Sequence, residues 1–135
     1  MTTRFLLDTN VLSQLIRDPR GSVGTRLQEI GDSNVFTSIV VACELRYGAR
    51  KRGSSALTER VERLLDSIDV APLEPGVDPL YAEIRHELES TGTPIGANDL
   101  LIAAHALEQR ATLVTDNVDE FQRVPGLQIE NWVRP

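Results

Sequence analysis

The segment RFLLDTNVLSQLIR, residues 4–17, joins a short apolar run directly to a pattern with helical spacing. Residues 4–8 predict a buried strand, and the apolar residues that follow stand at positions 11, 12, 15 and 16, on one face of a helix. Asp8 is therefore expected at the turn between a strand and a helix. A strand that leads straight into a helix is the first half of a βαβ unit, which favours an α/β fold.

The rest of the chain repeats this alternation. Further strands are predicted at NVFT, VAPLE, ATLVT and LQIENW (residues 34–37, 70–74, 111–115 and 127–132). Further helices are predicted over residues 23–30, 40–51, 54–69, 77–90 and 97–110, and a loop over 91–96. We therefore expect an α/β fold, with a short parallel sheet of about five strands flanked by helices and joined by right-handed crossovers.

Length and composition indicate one ordinary globular domain, residues 1–135. Hydrophobic residues make up 41% of the chain and charged residues 25%, without a repeat or a linker-like stretch. A domain of this size buries roughly two-thirds of its unfolded surface without disulfides or a structural metal. Stability alone therefore gives no reason to expect a metal ion.

The compartment is predicted from the single cysteine and from the start of the chain. Cys43 cannot form an internal disulfide, and no basic segment or cleavable signal precedes the apolar run at Phe5. No apolar stretch reaches the roughly 18 to 20 residues that span a bilayer. We expect a cytoplasmic protein that does not enter membranes.

Acidic residues stand where the predicted elements meet. Asp8 ends the first strand, Asp116 ends the fourth, and Glu44 lies one to two turns into the helix after the second. In parallel α/β folds, sites form at the carboxyl ends of the strands. Asp99 opens a helix that enters the fourth strand from the opposite end, so this rule does not place it. Carboxylates gathered at one point usually bind a hard divalent cation, which offsets their repulsion.

Simpler roles are open for two of these acids. Asp8 can act as the cap of the first helix while Asn10 stabilises the turn, and Asn98 or Asp99 can cap the helix that follows. An acid at a helix start can also cap and bind metal together.

Glu44 has no obvious local partner. Its helix is apolar on several sides, Arg46 and Arg50 point away from it, and Lys51 lies nearly two turns along. A carboxylate in such surroundings is rarely buried without a partner, so the partner is expected elsewhere in the chain.

Four of the 14 basic residues lie within seven positions: Arg46, Arg50, Lys51 and Arg52. They can form a solvated helix end that complements the helix dipole, or they can bind phosphates or an acidic protein. The net charge of −6 is weak evidence against a nucleic-acid substrate, because four acids in one metal site leave only −2 elsewhere.

Several common sites are excluded by their missing motifs. His86 and His105 have no ligand partner four residues on, which argues against zinc. The phosphate-binding and serine-hydrolase motifs are missing as well. A phosphoacceptor domain would need a lysine after a late strand, and the only lysine is Lys51.

Four segments in order, LLDTNVLSQL, TSIVVACELRYGA, GTPIGANDLLIAAHA and LVTDNVDEFQRVPGL, resemble the PIN-domain ribonucleases, specifically the VapC toxins of bacterial toxin-antitoxin pairs. The resemblance covers nearly the whole chain. It implies a PIN-domain fold with about five parallel strands, and endoribonuclease activity that depends on Mg²⁺ or Mn²⁺. It also implies inhibition by a VapB-like antitoxin and a homodimer that assembles with it.

Carried onto this sequence, the resemblance makes Asp8 and Asp99 the central metal ligands, with Glu44 completing the acidic core. This places Asp99, which the strand rule did not. Our hypothesis is that one or two Mg²⁺ ions activate a water for in-line attack on an RNA phosphodiester and stabilise the leaving 3′-oxygen. The products would carry 5′-phosphate and 3′-hydroxyl ends.

The last motif departs from the family pattern. Many relatives carry an acid two residues after the threonine, where this chain has Asn117, and Asp116 stands one residue earlier. Asp116 is expected to bind metal directly or through water, or to hold an outer role. By resemblance, Thr115 and Asn117 orient the last acid or the attacking water, and Asp119 and Glu120 are peripheral.

Two rival functions use the same acids. One is an inactive PIN scaffold that serves as a protein-binding module, and the other is a PIN-type DNA nuclease. The intact acidic set argues against the scaffold, and a chain of 135 residues leaves little surface to bend a duplex. The sequence does not identify the RNA that is cut, for which transfer RNA or another structured RNA is expected.

Overall fold

A computed structural model describes residues 2–135 and contains one parallel five-stranded sheet with helices on both sides. The strands are β1 (Phe5–Leu7), β2 (Val35–Ser38), β3 (Asp69–Ala71), β4 (Thr112–Val114) and β5 (Ile129–Glu130). The helices are α1 (Thr9–Arg17), α2 (Ser22–Ile30), α3 (Ile39–Arg52), α4 (Ser55–Ser67), α5 (Val77–Ser90), α6 (Ala97–Glu108) and α7 (Val118–Phe121). A 3-10 turn, Asp32–Asn34, precedes β2.

The strand order is β3-β2-β1-β4-β5, and every neighbouring pair is parallel. The predicted α/β class and its five-stranded parallel sheet are therefore confirmed. The central strand β1 is buried along its whole length, as is β2 beside it. Because β1 and β2 are parallel neighbours, their carboxyl ends lie at the same edge of the sheet.

The predicted ends of two strands are wrong. β3 stops at Ala71, before Pro72, because proline has no N–H for the ladder. β5 is only Ile129–Glu130, whereas a longer strand is predicted from LQIENW. The short helix α7 is not predicted at all, and it carries a residue that matters for the site.

The helices pack through apolar stripes onto the sheet. Ile102, Ala103 and Ala106 of α6 are fully buried, and their small size allows the close approach predicted for this helix. Among residues 2–135, none of the helices combines the length and apolar character needed to cross a bilayer.

Candidate metal and active site

Asp8 is the innermost acid of the site, with 3% of its surface exposed. Its backbone N–H bonds to the carbonyl of Val114 (2.9 Å), which ties the end of β1 to β4. Its Oδ1 accepts from the Thr9 N–H (2.8 Å) and caps α1, so the capping role is confirmed. Its Oδ2 accepts from the Thr115 hydroxyl (2.8 Å) and from the Asn10 amide (3.3 Å).

Burial raises the pKa of Asp8 above its ordinary value, although the hydrogen bonds from Thr115 and Thr9 act against this. The nearby charges of Glu44 and Glu120 raise the pKa of Asp8 further. Asp8 is therefore held rigidly in an environment that disfavours its negative charge. A positive ion would relieve that cost.

Glu44 has the distant partner that its apolar helix requires. The Thr9 hydroxyl donates to Glu44 Oε1 at 2.7 Å and so links the start of α1 to the second turn of α3. Glu44 is half-buried, and its other carboxylate oxygen, Oε2, stays available at the edge of the site. One residue, Thr9, thus bonds to both Asp8 and Glu44.

Asp99 lies in the first turn of α6, whose N-cap is Gly96. The expectation that Asn98 or Asp99 caps this helix is wrong. Burial, followed by the charge of Glu120, raises the pKa of Asp99 from 3.8 to about 7, and the charges of Asp8 and Glu44 contribute to the same shift. These electrostatic effects show that Asp99 belongs to the same acidic cluster as Asp8 and Glu44.

Glu120 is the acid that sequence reasoning left at the periphery, and that expectation is wrong. Its carboxylate contacts the carboxyl group of Asp99 and accepts from the Gly96 N–H (2.9 Å) and the Asn117 amide. Burial acts to raise the pKa of Glu120, but these hydrogen bonds outweigh it and lower the pKa. Glu120 therefore takes the fourth acidic place beside Asp99.

Asp116 turns away from the other acids. Its Oδ1 accepts from Arg134 Nε (2.8 Å) and from the Asn131 amide (3.1 Å), in the C-terminal segment. The hydrogen bond from Arg134 and then that from Asn131 hold the pKa of Asp116 below its ordinary value. Only the backbone N–H of Asp116 joins the site, through a bond to Asn10 Oδ1 (2.9 Å). In this structure the Asp116 carboxylate thus faces the C-terminal segment and not the other acids.

The three predicted supporting residues form one network around the acids. Asn10 donates to Asp8 and to the Thr115 hydroxyl (3.4 Å). Thr115 is fully buried, and its hydroxyl accepts from the Asn117 N–H (3.0 Å) while donating to Asp8. The Asn117 amide donates to Glu120. Thr115 and Asn117 therefore orient acids, as expected, but the acids are Asp8 and Glu120.

The donor set suits a hard cation such as Mg²⁺ or Mn²⁺, because all its side-chain ligands are carboxylate oxygens. The raised pKa values of Asp8 and Asp99 support the same interpretation, since mutual repulsion and burial oppose their ionisation. Within residues 2–135, no group of three Asp, Glu, His or Cys side chains lies close enough together to bind one metal ion. Binding would therefore require the acids to turn toward the ion.

Of the predicted basic cluster, only Arg52 lies in a groove that also contains Glu44. Arg46 forms a salt bridge with Glu62, in which Nε donates to Oε2 (3.0 Å) and Nη2 donates to Oε1 (2.8 Å). Arg50 and Lys51 are exposed on the same helix outside that groove. The groove contains a second guanidinium that the sequence did not single out, Arg17 at the end of α1.

Comparison with known proteins finds similar sequences and similar folds. The sequence pattern of the PIN domain matches residues 5–127. Ribonuclease VapC2 of Rickettsia felis is 36% identical over 95% of this chain and 97% of its own length. The tRNA(fMet)-specific endonuclease VapC of Shigella flexneri is 35% identical over 96% of this chain and 98% of its own length.

Several solved structures with the same fold are VapBC complexes. VapBC2 from Rickettsia felis, bound to a DNA fragment from its promoter, contains a chain with a TM-score of 0.88 and 35% identity, over 96% of this chain and 99% of that one. DNA-bound VapBC from Salmonella typhimurium gives a TM-score of 0.87 and 33% identity, over 97% and 99%.

Proposed function

Because this chain belongs to the PIN-domain family and to the VapC ribonucleases within it, we propose that it is an endoribonuclease toxin, dependent on a divalent metal ion and neutralised by a VapB-like antitoxin. The observation that carries the proposal is the cluster formed by Asp8, Glu44, Asp99 and Glu120. These four carboxylates come from four different elements or their ends and lie near one another at the carboxyl edge of the sheet.

The residues that would hold the ion are Asp8, Asp99 and Glu44, with Glu120 replacing Asp116 in the fourth place. When bound, Mg²⁺ or Mn²⁺ supplies positive charge for the phosphodiester and a water of lowered pKa. The support for this proposal is the donor chemistry of the cluster and the unfavourable ionisation of Asp8 and Asp99 without a neighbouring cation.

The surrounding residues hold the acids in position. Thr9 fixes Glu44 through its hydroxyl and Asp8 through its backbone N–H, and Thr115 fixes the other oxygen of Asp8. These hydrogen bonds fix the orientation of the Asp8 and Glu44 carboxylates and leave particular oxygen atoms free for an ion. Hydrogen bonds to metal ligands commonly have this effect. Neither a nucleophilic side chain nor a histidine base is needed.

Burial and the charge of Glu120 raise the pKa of Asp99 to about 7, whereas hydrogen bonds lower the pKa of Glu120. The protonated form of Asp99 is therefore favoured below about pH 7 when no metal is bound. An ion that binds here must displace this proton. We therefore infer that metal binding competes with protonation of Asp99.

The proposed substrate is a structured RNA, with transfer RNA as the first to test. Its support is that the relatives are ribonucleases and that one of them is specific for tRNA(fMet). The antitoxin would cover the acids, and its support is the toxin-antitoxin complexes with the same fold. We propose the cytoplasm as the location of the chain, because the proposed substrate, RNA, is found there.

A homodimer is the assembly that we propose. Its support is that two hydrophobic side chains of α3, Ile39 and Tyr47, are 39% and 66% exposed, and a second copy of the chain that packs on α3 would cover them.

The experiment is side-by-side cleavage of transfer RNA, messenger RNA and DNA by the purified chain, with Mg²⁺ and with a chelator. We expect RNA to be cut only with Mg²⁺, and the new ends to be 5′-phosphate and 3′-hydroxyl. Equal cleavage of DNA would support the DNA-nuclease rival. No cleavage of any substrate, with antitoxin binding retained, would support the inactive scaffold.

A further inference from the structure

A groove of about 280 Å³ lies between α1, α3 and α4 and opens directly onto the acid cluster. Thr9 and Glu44, which bond to each other, belong both to the cluster and to the lining of the groove. Farther along, the lining is apolar, with Ile16, Leu57 and Val61. The groove is thus a continuation of the proposed active site and not a separate cavity.

Gly48 lies in the interior of α3 and lines this groove. A Cβ built on Gly48 would meet no other atom within 4 Å, so packing gives no reason for a glycine here. In a helix interior, glycine costs roughly 1 kcal/mol relative to alanine. The effect of Gly48 is to leave the floor of the groove open.

Two arginines provide positive charge in the groove. Arg17 bonds only to the neutral amide of Gln14 (3.0 Å), and Arg52 has no bonded partner among residues 2–135. Neither forms an ion pair with a carboxylate in that described part of the chain. This separates Arg52 from Arg46, whose guanidinium is held by Glu62.

Glu44, Gly48 and Arg52 follow one another at intervals of four residues, so they lie along one face of α3. Eight residues of helix span about 12 Å. The backbone of Arg52 therefore lies about two helical turns from that of Glu44. This separation suits a phosphate of the same strand other than the one that is cut at the acids.

We propose that this groove binds an unpaired stretch of the RNA substrate beside the cleavage position. Arg17 and Arg52 bind backbone phosphate, and a base lies over Gly48 against the apolar wall. The inference rests on the proposed ribonuclease function and adds the substrate-binding surface to it. An unpaired strand fits because its bases are free to leave the stack and pack on protein side chains.

The observations favour RNA over a peptide as the occupant. The groove runs into the acids, where the proposed reaction places a phosphodiester. Its two guanidinium groups, neither paired with a carboxylate among residues 2–135, complement a polyanion. They also offset the repulsion between RNA and four carboxylates. A basic segment would be attracted by the acids, but beyond Glu44 it would meet repulsion from both arginines.

The test measures binding of a fluorescent single-stranded RNA in an Asp99→Asn background, which prevents cleavage during the titration. Arg17→Ala with Arg52→Ala should weaken binding about tenfold and reduce the slope of log affinity against log salt by about 1.4, or about 0.7 for each phosphate that is no longer neutralised. The control pair is Arg50→Ala with Lys51→Ala, on the same helix but outside the groove. It should change binding by less than about twofold.

A second variant fills the groove without removing charge. Gly48→Leu should weaken RNA binding at least about fivefold, whereas Gly48→Ala should leave it nearly unchanged. Both should retain or raise the melting temperature, because they remove a helix glycine where there is open space. Weaker binding by Gly48→Leu therefore cannot be attributed to unfolding.

Calorimetric Mg²⁺ titration of the same groove variants, with Asp99 intact, should give the wild-type affinity. Unchanged RNA binding in the arginine pair, or equal binding by Gly48→Leu and Gly48→Ala, would overturn the proposal. If the groove variants keep RNA binding but no longer bind the antitoxin, the groove is a protein site, which also overturns it. If the wild type binds RNA through the groove but never cleaves it, the ribonuclease function fails and the binding surface stands.

Discussion

The carboxyl groups of Asp99 and Glu120 are in contact, 21 residues apart in the chain, at the start of α6 and in the short helix α7. Two acids in contact cannot both be ionised without a large repulsion. Burial and this repulsion raise the pKa of Asp99 to about 7, and the hydrogen bonds around Glu120 keep that residue ionised. A divalent cation bound between the two carboxyl groups would relieve the repulsion.

The first prediction concerns stability and pH in the absence of metal. The unfolded chain loses the Asp99 proton near its ordinary pKa of 3.8, whereas the folded protein keeps it to about 7. The folded state therefore binds an extra proton between these values, and the free energy of unfolding should fall as the pH rises from about 4 to about 7. Thermal melting with a chelator, from about pH 5 to pH 8, measures this fall.

Asp99→Asn is the matched control, because it removes the titrating group and keeps the shape of the side chain. Its melting temperature should lose most of the pH dependence and exceed that of the wild type near pH 8. Mg²⁺ should raise the wild-type melting temperature more at about pH 8 than at about pH 5, because protons compete with the ion. A wild type more stable at pH 8 than at pH 5 without metal would refute this account of Asp99.

The second prediction separates the two candidates for the fourth acid. Glu120→Gln should weaken Mg²⁺ binding by about 10 to 100-fold, as expected for a residue at the ion or bonded to its ligand. Asp116→Asn should change it by less than about threefold, because Asn131 and Arg134 hold this side chain away from the cluster. Calorimetric Mg²⁺ titration of both variants measures these two losses of affinity. A larger loss for Asp116→Asn than for Glu120→Gln would favour Asp116 as the ligand.

The third prediction tests how Glu44 is oriented. Thr9→Val removes the hydroxyl that donates to Glu44 Oε1 at 2.7 Å and keeps the shape of the side chain. We expect RNA cleavage to fall about tenfold with little loss of stability, because Glu44 becomes free to turn away. Thr9→Ser retains the hydroxyl and should restore most of the rate. Equal rates for the valine and serine variants would rule out this role for Thr9.

The fourth prediction concerns the buried hydroxyl of Thr115. Thr115→Val removes a donor to Asp8 Oδ2, so the pKa of Asp8 should rise further and the acid limb of the pH–rate profile should move to higher pH. The variant should also lose about 1 to 3 kcal/mol of stability near neutral pH, because a buried carboxylate loses a partner. Thr115→Ser should keep the wild-type profile. An unshifted acid limb in the valine variant would contradict the assignment.

Sequence reasoning succeeded where local pattern controls the structure. The strand-to-helix junction at Asp8 follows from residues 4–17 alone, because a buried run and a helical stripe meet there. Glu44 was expected to have a distant partner because its own helix offers none, and Thr9 is that partner. The alternation of strands and helices was sufficient to predict the parallel sheet.

The contact between Glu120 and Asp99 could not be predicted, because it depends on distant parts of the chain. Asp116 is turned outward by Asn131 and Arg134, which are 15 and 18 residues away. One local signal was available: neighbouring residues at a strand end point to opposite sides, so Thr115 and Asp116 cannot both face Asp8. Glu120 reaches the site only through α7, a single turn of helix too short to leave a periodic pattern.

The central claim is that Asp8 and its neighbouring acids cleave RNA by holding a divalent ion. Its most direct test is single-turnover cleavage of transfer RNA across an Mg²⁺ titration, comparing the wild type with Asp8→Asn purified free of other nucleases. We predict that cleavage by the wild type rises with Mg²⁺ and stops with a chelator, and that Asp8→Asn is slower by about a hundredfold or more at every concentration. Cleavage by Asp8→Asn at the wild-type rate, or wild-type cleavage that persists in the chelator, would contradict the claim.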